Sequence, residues 1–177
     1  LSEEEKELLQ YFAICCDASI SNVDGEVKRV GDPTELALLD VANNNNIEYL
    51  SAKRVKDLPF DSERKLMTTV HQMGDKFVSI TKGAPDVILS RTTSLDMNGE
   101  VKDITPSMVK EFEQENNNMA DRALRVLAVA YKVYETSVFS LRYFFVFIHI
   151  KLGSGQLDSF FTLSVFLYIP KWQCGAS

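Results

Sequence analysis

The chain has 177 residues, of which 45% are hydrophobic and 25% are charged, and these values are typical of one globular domain. Its formal net charge is −6, whereas a grip on DNA or RNA needs clustered lysine and arginine that displace counterions from phosphate. The composition therefore argues against collagen-like and disordered chains, and we expect no nucleic-acid partner.

The three cysteines are Cys15, Cys16 and Cys174, and they form no CxxC pair. The sequence therefore predicts neither a disulfide framework nor a zinc site, and it indicates a reducing compartment. Cys15 and Cys16 lie in an apolar helical stretch, where we expect buried, structural thiols. The acidic start LSEEEKE has the features of neither a signal peptide nor a transit peptide.

Two helices are predicted in the first part of the chain. Ser2 and Glu5 form a capping box ahead of apolar residues at helical spacing. A second helix begins at Asp32-Pro33, because proline suits the first helical position, and it ends at the asparagine run 43–46.

Strands dominate the next part of the chain. Segments 53–60, 66–71 and 76–82 are predicted strands, the last two joined by a Gln-Met-Gly-Asp turn. The remaining predictions are a short helix at 85–89, a turn at Asn98-Gly99, a helix from Thr105-Pro106 to about Met119, and a nearly continuous apolar strand at 124–131. Because helices and strands alternate irregularly and neighbouring strands form hairpins, we predict an α+β fold, with an antiparallel β-sheet flanked by helices.

The composition changes near Thr136. Four of the 44 charged residues follow it, but seven of the eleven phenylalanines do. Two apolar runs, 138–150 and 157–169, are each shorter than the roughly 18 uninterrupted apolar residues of a membrane-spanning helix. We predict a domain over 1–135 and an atypical hydrophobic tail over 136–177. That tail is either a hairpin of buried strands or a disordered, membrane-seeking segment.

Motifs for autonomous catalysis are missing from the sequence. It contains no GxxxxGK[ST] phosphate loop and no GxGxxG, and its two histidines, His71 and His149, do not form a metal or hydrolase motif. His71 lies in a predicted strand and is expected to be a structural or surface residue. We therefore expect no catalytic residue and no metal ligand, and local chemistry alone indicates a binding module or an incomplete enzyme.

Four segments in fixed order carry a family resemblance. They are Gly-Asp-Pro-Thr-Glu at 31–35, Leu-Pro-Phe-Asp-Ser-Glu-Arg-Lys-Leu-Met at 58–67, Thr-Lys-Gly-Ala-Pro-Asp at 81–86, and Ala-Leu-Arg-Val-Leu-Ala-Val-Ala-Tyr at 123–131. Together they resemble the nucleotide-binding (N) domain of P-type cation-transporting ATPases, in its calcium-pump-like branch. The resemblance covers roughly residues 1–135.

The resemblance implies an antiparallel sheet flanked by helices that binds the adenosine end of ATP or ADP. The domain would position ATP for phosphorylation of an aspartate in a separate domain, whose Asp-Lys-Thr-Gly-Thr motif would precede residue 1. Its partners would be the phosphorylation and actuator domains of a cation-translocating ATP hydrolase, on the cytoplasmic face of a membrane. Mg²⁺ would act only through those other domains. By itself the chain would be non-catalytic, and either soluble or membrane-associated through its tail.

The resemblance assigns nine residues to the nucleotide site. They are Glu35, Phe60, Ser62, Lys65, Met67, Lys82, Gly83, Ala84 and Arg125. Phe60 would stack on adenine, as every purine offers a π face, or it is a core residue of a strand. Glu35 would lie near the adenine amino group, or it completes a capping box with Asp32. Met67 would line the adenine slot or pack beneath it.

The remaining assignments concern phosphate and backbone. Lys65 and Lys82 would line the pocket and neutralise polyphosphate, although an exposed lysine at a strand end is the alternative. Gly83 would let the ligand approach the backbone. Arg125 would reach the phosphates, because a guanidinium in an apolar strand needs an anionic partner. Ser62 takes a place where some family members carry arginine, which leaves a phosphate contact there open.

Two other functions compete with an ATP-binding domain. One is a regulatory or scaffold protein that keeps the fold and uses its apolar tail to bind a membrane or a partner. The other is a stand-alone phosphotransferase in which an acidic residue accepts phosphate. The tail matches no part of a pump, and a frame change, a splice variant, an artefact or real divergence would each explain it.

Overall fold

The structure is a computed structural model that describes residues 1–97, 100–134, 149–152 and 169–170. The predicted turn at Asn98-Gly99 lies outside these residues. The predicted domain boundary after residue 135 and most of the tail also lie outside them, so both stay predictions.

Four helices are found among the described residues: α1 (Glu3–Ile14), α2 (Pro33–Asn44), α3 (Pro85–Leu89) and α4 (Pro106–Asp121). The capping box at α1 is confirmed, because the Ser2 amide donates to Glu5 Oε2 at 2.7 Å and the Glu5 amide donates to Ser2 Oγ at 3.2 Å. The other three helices each carry proline in their first turn, where its missing N–H leaves no hydrogen bond unmade.

The described strands are β1 (Ser19–Val23), β2 (Glu26–Val30), β3 (Lys53–Asp61), β4 (Leu66–Met73), β5 (Lys76–Gly83), β6 (Ser94–Met97), β7 (Glu100–Asp103), β8 (Leu124–Arg125), β9 (Ala128–Tyr134), β10 (His149–Leu152) and β11 (Ile169–Pro170). Within the described residues, seven of them form one sheet in the order β3-β4-β5-β9-β10-β6-β7. Its pairs are antiparallel except β10 with β6, which is parallel. The predicted α+β class with an antiparallel sheet flanked by helices is confirmed.

The sheet lies between two apolar clusters because successive side chains of a strand point to opposite faces. One face packs against α1 and α2, and its buried residues include Phe12, Leu38 and Ile80. The other face packs against α3 and α4, where Ile88 and Phe112 are buried. Sites on the first face are therefore bounded by α1 and α2.

Residues 124–131 were predicted as one strand, and this prediction is wrong. β8 pairs with β11, whereas β9 pairs with β5 and β10, so the chain leaves one ladder and enters another at Val126 and Leu127. Val126 packs against one apolar cluster and Leu127 against the other. Both residues are apolar on either side of the break, so the hydrophobic pattern carries no mark of it.

Two short strands fall within the predicted tail. β10 lies between β9 and β6, and it joins the β6–β7 hairpin to the rest of the sheet. β11 pairs with β8 in a separate ladder. Among the described residues, no helix has both the length and the apolar composition that a membrane crossing requires.

His71 generates a prediction about pH. Its side chain in β4 is 2% exposed, and its Nε2 lies 2.8 Å from Thr69 Oγ1. Burial lowers the pKa of His71, so the unfolded chain binds a proton that the folded chain resists. Its contribution to stability is therefore complete above about pH 6.5 and is lost as the pH falls toward the lowered native pKa.

We expect His71→Gln to reduce the loss in the free energy of unfolding between about pH 7 and pH 5.5, as measured by urea denaturation. His149 and the carboxylates are common to both proteins, so their contributions cancel in the comparison. Equal losses for the variant and the parent chain would show that His71 is protonated as readily in the folded state as in the unfolded one.

Gly31 generates a prediction about close packing. It lies between β2 and α2 at φ +128°, and a Cβ atom there would lie 2.5 Å from the Ala18 Cβ. Gly25 also has positive φ, +86°, but a Cβ there meets nothing within 4 Å. We expect Gly31→Ala to lower the free energy of unfolding by about 1–3 kcal/mol more than Gly25→Ala, since only the former overpacks. Chemical denaturation of both variants measures the difference, and equal losses would contradict the overlap.

Candidate functional site

A cavity of about 330 Å³ opens on the α1–α2 face of the sheet, a volume at the lower end of the range for small-molecule sites. Its lining residues are Asp17, Gly31, Asp32, Thr34, Glu35, Leu38, Phe60, Met67, Lys82, Gly83, Arg125 and Leu127. Six of the nine sequence-predicted residues are among them: Glu35, Phe60, Met67, Lys82, Gly83 and Arg125. The structure therefore brings together residues from four separate segments of the chain.

Lys82 forms the buried floor of this cavity. It follows Ile80 by two positions in β5, so its side chain lies on the same face, and Lys82 is 7% exposed. Its Nζ donates to Glu35 Oε1 at 2.7 Å and to Cys16 Sγ at 3.1 Å. Burial alone lowers the pKa of Lys82, but the neighbouring sulfurs and the Glu35 carboxylate outweigh it, so the pKa is raised. The alternative of an exposed strand-end lysine is wrong, and the ammonium is a buried cation.

The second oxygen of Glu35 binds the segment that follows α1. Glu35 Oε2 accepts hydrogen bonds from the backbone amides of Asp17 at 2.9 Å and Ala18 at 2.8 Å. The N-cap of α2 is Asp32, whose Oδ1 accepts from the Thr34 amide at 2.8 Å. The alternative in which Glu35 completes a capping box with Asp32 is therefore wrong, because its carboxylate spans three elements instead.

Phe60 forms an exposed aromatic rim. It lies in the edge strand β3, and it is 61% exposed, so the alternative of a core phenylalanine is wrong. The pairing of β3 with β4 is irregular between Leu58 and Asp61, and Pro59 within this stretch has no N–H to donate. Such irregularities redirect side chains, which accounts for the position of Phe60 at the cavity.

The apolar wall of the cavity is contributed by Leu38 from α2, Met67 from β4 and Leu127 from the segment before β9. Met67 is 1% exposed and is the register partner of Lys82. Met67 therefore packs next to the buried cation, while Phe60 remains open to solvent.

Arg125 supplies an exposed cation to the lining of the cavity. Among the described residues, no hydrogen bond or ion pair holds its guanidinium. Because β8 ends at this residue, its side chain is exposed, and the predicted need for an anionic partner does not apply to it. Arg125 is therefore free to meet an anion at the opening.

Ser62, Lys65 and Ala84 do not line the cavity. Lys65 has φ +56° at the end of the β3–β4 turn, and its carbonyl oxygen accepts from the Ala84 amide at 3.2 Å. A Cβ at Gly83 would overlap that same oxygen. These residues shape the site through their backbone, and Gly83 makes room for the turn.

Sequence analysis did not assign a role to six of the lining residues: Asp17, Gly31, Asp32, Thr34, Leu38 and Leu127. Three of these stand in the same string as Glu35, which was a usable signal. Asp17 had no such signal, because its partner Arg54 lies 37 positions away in β3 and donates to its Oδ1 at 2.5 Å.

Two buried thiols lie behind Lys82. Burial raises the pKa of Cys16 to about 12, although the Lys82 charge partly opposes this, and burial also raises the pKa of Cys15. Cys16 Sγ donates to the Phe12 carbonyl oxygen at 3.2 Å. The expectation that these cysteines are buried is confirmed, and their thiols act as packing groups.

Known proteins resemble this chain over most of its length. The family model for the P-type ATPase cytoplasmic domain N matches residues 4–154, which extends past residue 135 into the predicted tail. A calcium-transporting ATPase of Listeria monocytogenes is 38% identical over 135 residues, which cover 74% of this chain and 15% of that protein. The calcium-transporting ATPase 1 of Lactococcus lactis is 36% identical over 133 residues, 73% of this chain and 15% of that protein.

A third relative, the calcium-transporting ATPase 1 of Bacillus cereus, is 37% identical over 140 residues, 77% of this chain and 15% of its own length. The chain thus spans about one seventh of the length of these relatives. The family match covers far more than half of the chain, and it agrees with the α+β fold and the four motif segments. The chain therefore belongs to the P-type ATPase cytoplasmic N-domain family.

Proposed function

We propose that the chain binds ATP in the cavity beside Phe60 and positions it for phosphorylation of an aspartate in a separate domain of a calcium-transporting pump. The observation that carries this proposal is an exposed aromatic ring at the rim of a cavity whose floor holds a buried cation. The family match and the calcium-transporting relatives supply the biological context.

The adenine ring is proposed to stack on Phe60. An exposed aromatic face is rarely left in water without a function, and base–aromatic stacking contributes about 1–3 kcal/mol. Leu38, Met67 and Leu127 give the opposite side of the cavity an apolar surface that suits a purine ring.

The phosphates are proposed to lie toward Arg125. Its guanidinium is exposed, and a planar guanidinium suits phosphate oxygens. The charge of Lys82 is already matched by Glu35 at 2.7 Å, so Lys82 contributes less net attraction for an anion than its position suggests. We assign to Lys82 and Glu35 the task of holding the floor of the site. The contact of Glu35 with the adenine amino group, and a contact of exposed Lys65 with phosphate, stay predictions.

The other components of the reaction are proposed to lie outside this chain. The γ-phosphate and Mg²⁺ would meet the phosphorylation domain, with the actuator domain as the second partner, on the cytoplasmic face of the membrane that holds the pump. On this proposal the chain binds ADP about as well as ATP, because stacking of the base dominates the affinity.

Phe60→Ala tests the stacking. We expect it to weaken ATP, ADP and AMP alike, by about 1–3 kcal/mol, because all three share the base. Isothermal titration calorimetry on the full chain measures the three affinities. Val55→Ala is the matched control, since Val55 is an exposed apolar residue of the same strand that does not line the cavity. Unchanged binding in Phe60→Ala would remove the base from this cavity.

Arg125→Ala tests the orientation of the nucleotide. We expect it to weaken ATP about three- to fivefold and AMP less, because the variant loses a cation near the outer phosphates. The difference should shrink between about 0.05 M and 0.5 M salt, since exposed charges are screened.

Arg122→Ala provides the control, because Arg122 is an exposed arginine nearby in sequence that lies outside the cavity lining. It removes the same charge from the chain. An equal loss for ATP and AMP in Arg125→Ala, or a loss in Arg122→Ala of the same size, would contradict the proposed placement of the phosphates.

A further inference from the structure

We propose that Asp17 determines the base specificity of this site, by accepting a hydrogen bond from the exocyclic amino group of adenine. This inference rests on the proposed function, because it needs a nucleotide whose base lies in the cavity. Asp17 belongs to the segment between α1 and β1, and its side chain is part of the cavity lining.

Asp17 is held in place at both its backbone and its side chain. Its amide donates to Glu35 Oε2 at 2.9 Å, and its Oδ1 accepts from Arg54 Nη1 at 2.5 Å. Arg54 Nη2 also donates to the Cys16 carbonyl oxygen at 2.5 Å, so the guanidinium is fixed against the end of α1. The Asp17 carboxylate is therefore a pre-positioned group, although it lies in a loop.

One oxygen of this carboxylate is available to a ligand. Among the described residues, only Arg54 binds the Asp17 side chain, and it binds Oδ1. Both oxygens of Glu35 are engaged, one by Lys82 and the other by two backbone amides. An ionised carboxylate only accepts hydrogen bonds, so Oδ2 of Asp17 is an acceptor that no described donor saturates.

The charges around the cavity place Asp17 at the end occupied by the base. The backbone amide of Asp17 joins it to Glu35 and hence to the buried floor at Lys82, whereas Arg125 is exposed. Phosphates are repelled by the carboxylates of Asp17 and Asp32 and attracted by Arg125. The base is thereby directed toward Asp17.

The chemistry of the bases then gives discrimination. Adenine carries an amino donor at C6, whereas guanine and hypoxanthine carry a carbonyl oxygen there. Opposite a carboxylate, the carbonyl places two acceptors against each other, which leaves both without a hydrogen bond. A site with a fixed acceptor at this point therefore favours ATP over ITP, which differs from ATP only at C6.

The experiment compares ATP with ITP by calorimetry on the full chain and on Asp17→Asn. We expect the parent chain to bind ATP about tenfold more tightly than ITP, the size of one hydrogen bond to a charged group. In Asp17→Asn the ratio should fall to about twofold or less, because an amide can donate to the carbonyl as well as accept from the amino group.

Asp24→Asn is the matched control. It removes the same charge from the exposed β1–β2 turn, outside the cavity, and its φ of +54° suits asparagine. This variant should keep the parent ratio. If Asp17→Asn is poorly folded by thermal unfolding, Asp17→Ala replaces it, with the ratio again expected to fall because ATP alone loses an acceptor.

Two outcomes overturn the inference while leaving ATP binding intact. One is an unchanged ATP-to-ITP ratio in the folded Asp17 variant. The other is a change in the ratio of ATP to 2′-deoxy-ATP with no change for ITP, which would assign Asp17 to the ribose. If the parent chain binds neither ATP nor ITP, the proposed function itself fails, and the two failures are thereby distinguished.

Discussion

The buried ion pair between Lys82 and Glu35 is the interaction on which the site depends. It joins β5 to α2, and the second oxygen of Glu35 extends the connection to the amides of Asp17 and Ala18. Removing one member of such a pair leaves an uncompensated buried charge, which costs about 3–5 kcal/mol. The pair therefore holds three separate elements at fixed positions around the cavity, and the raised pKa of Lys82 keeps the cation charged.

The sheet divides the site between rigid and accessible components. Met67 and Lys82 are register partners on central strands and are buried, so they form a floor that has little freedom to move. Phe60 lies on the edge strand, where the pairing with β4 becomes irregular, and its ring is open to solvent. A stacking platform needs this exposure, whereas the floor needs burial, and the two needs are met by different strands of one sheet.

The family match and the sheet topology agree on how far the domain extends. The match reaches residue 154, and β10 at 149–152 lies between β9 and β6. Among the described pairings, β10 connects the β6–β7 hairpin to the other strands. A boundary drawn from composition alone separates this strand from its neighbours, because composition changes at a point in the chain and pairing does not.

Local signals in the sequence determined most of the regular elements and the family. The capping box at Ser2, the prolines that open three helices and the hairpin of β4 and β5 depend on residues a few positions apart, so their patterns are legible without a fold. Only the tertiary structure decided that Lys82 is buried against Glu35, that Arg54 holds Asp17, and that the strand predicted at 124–131 is broken. These depend on residues brought together over tens of positions, or on packing that makes one apolar residue face a different cluster from the next.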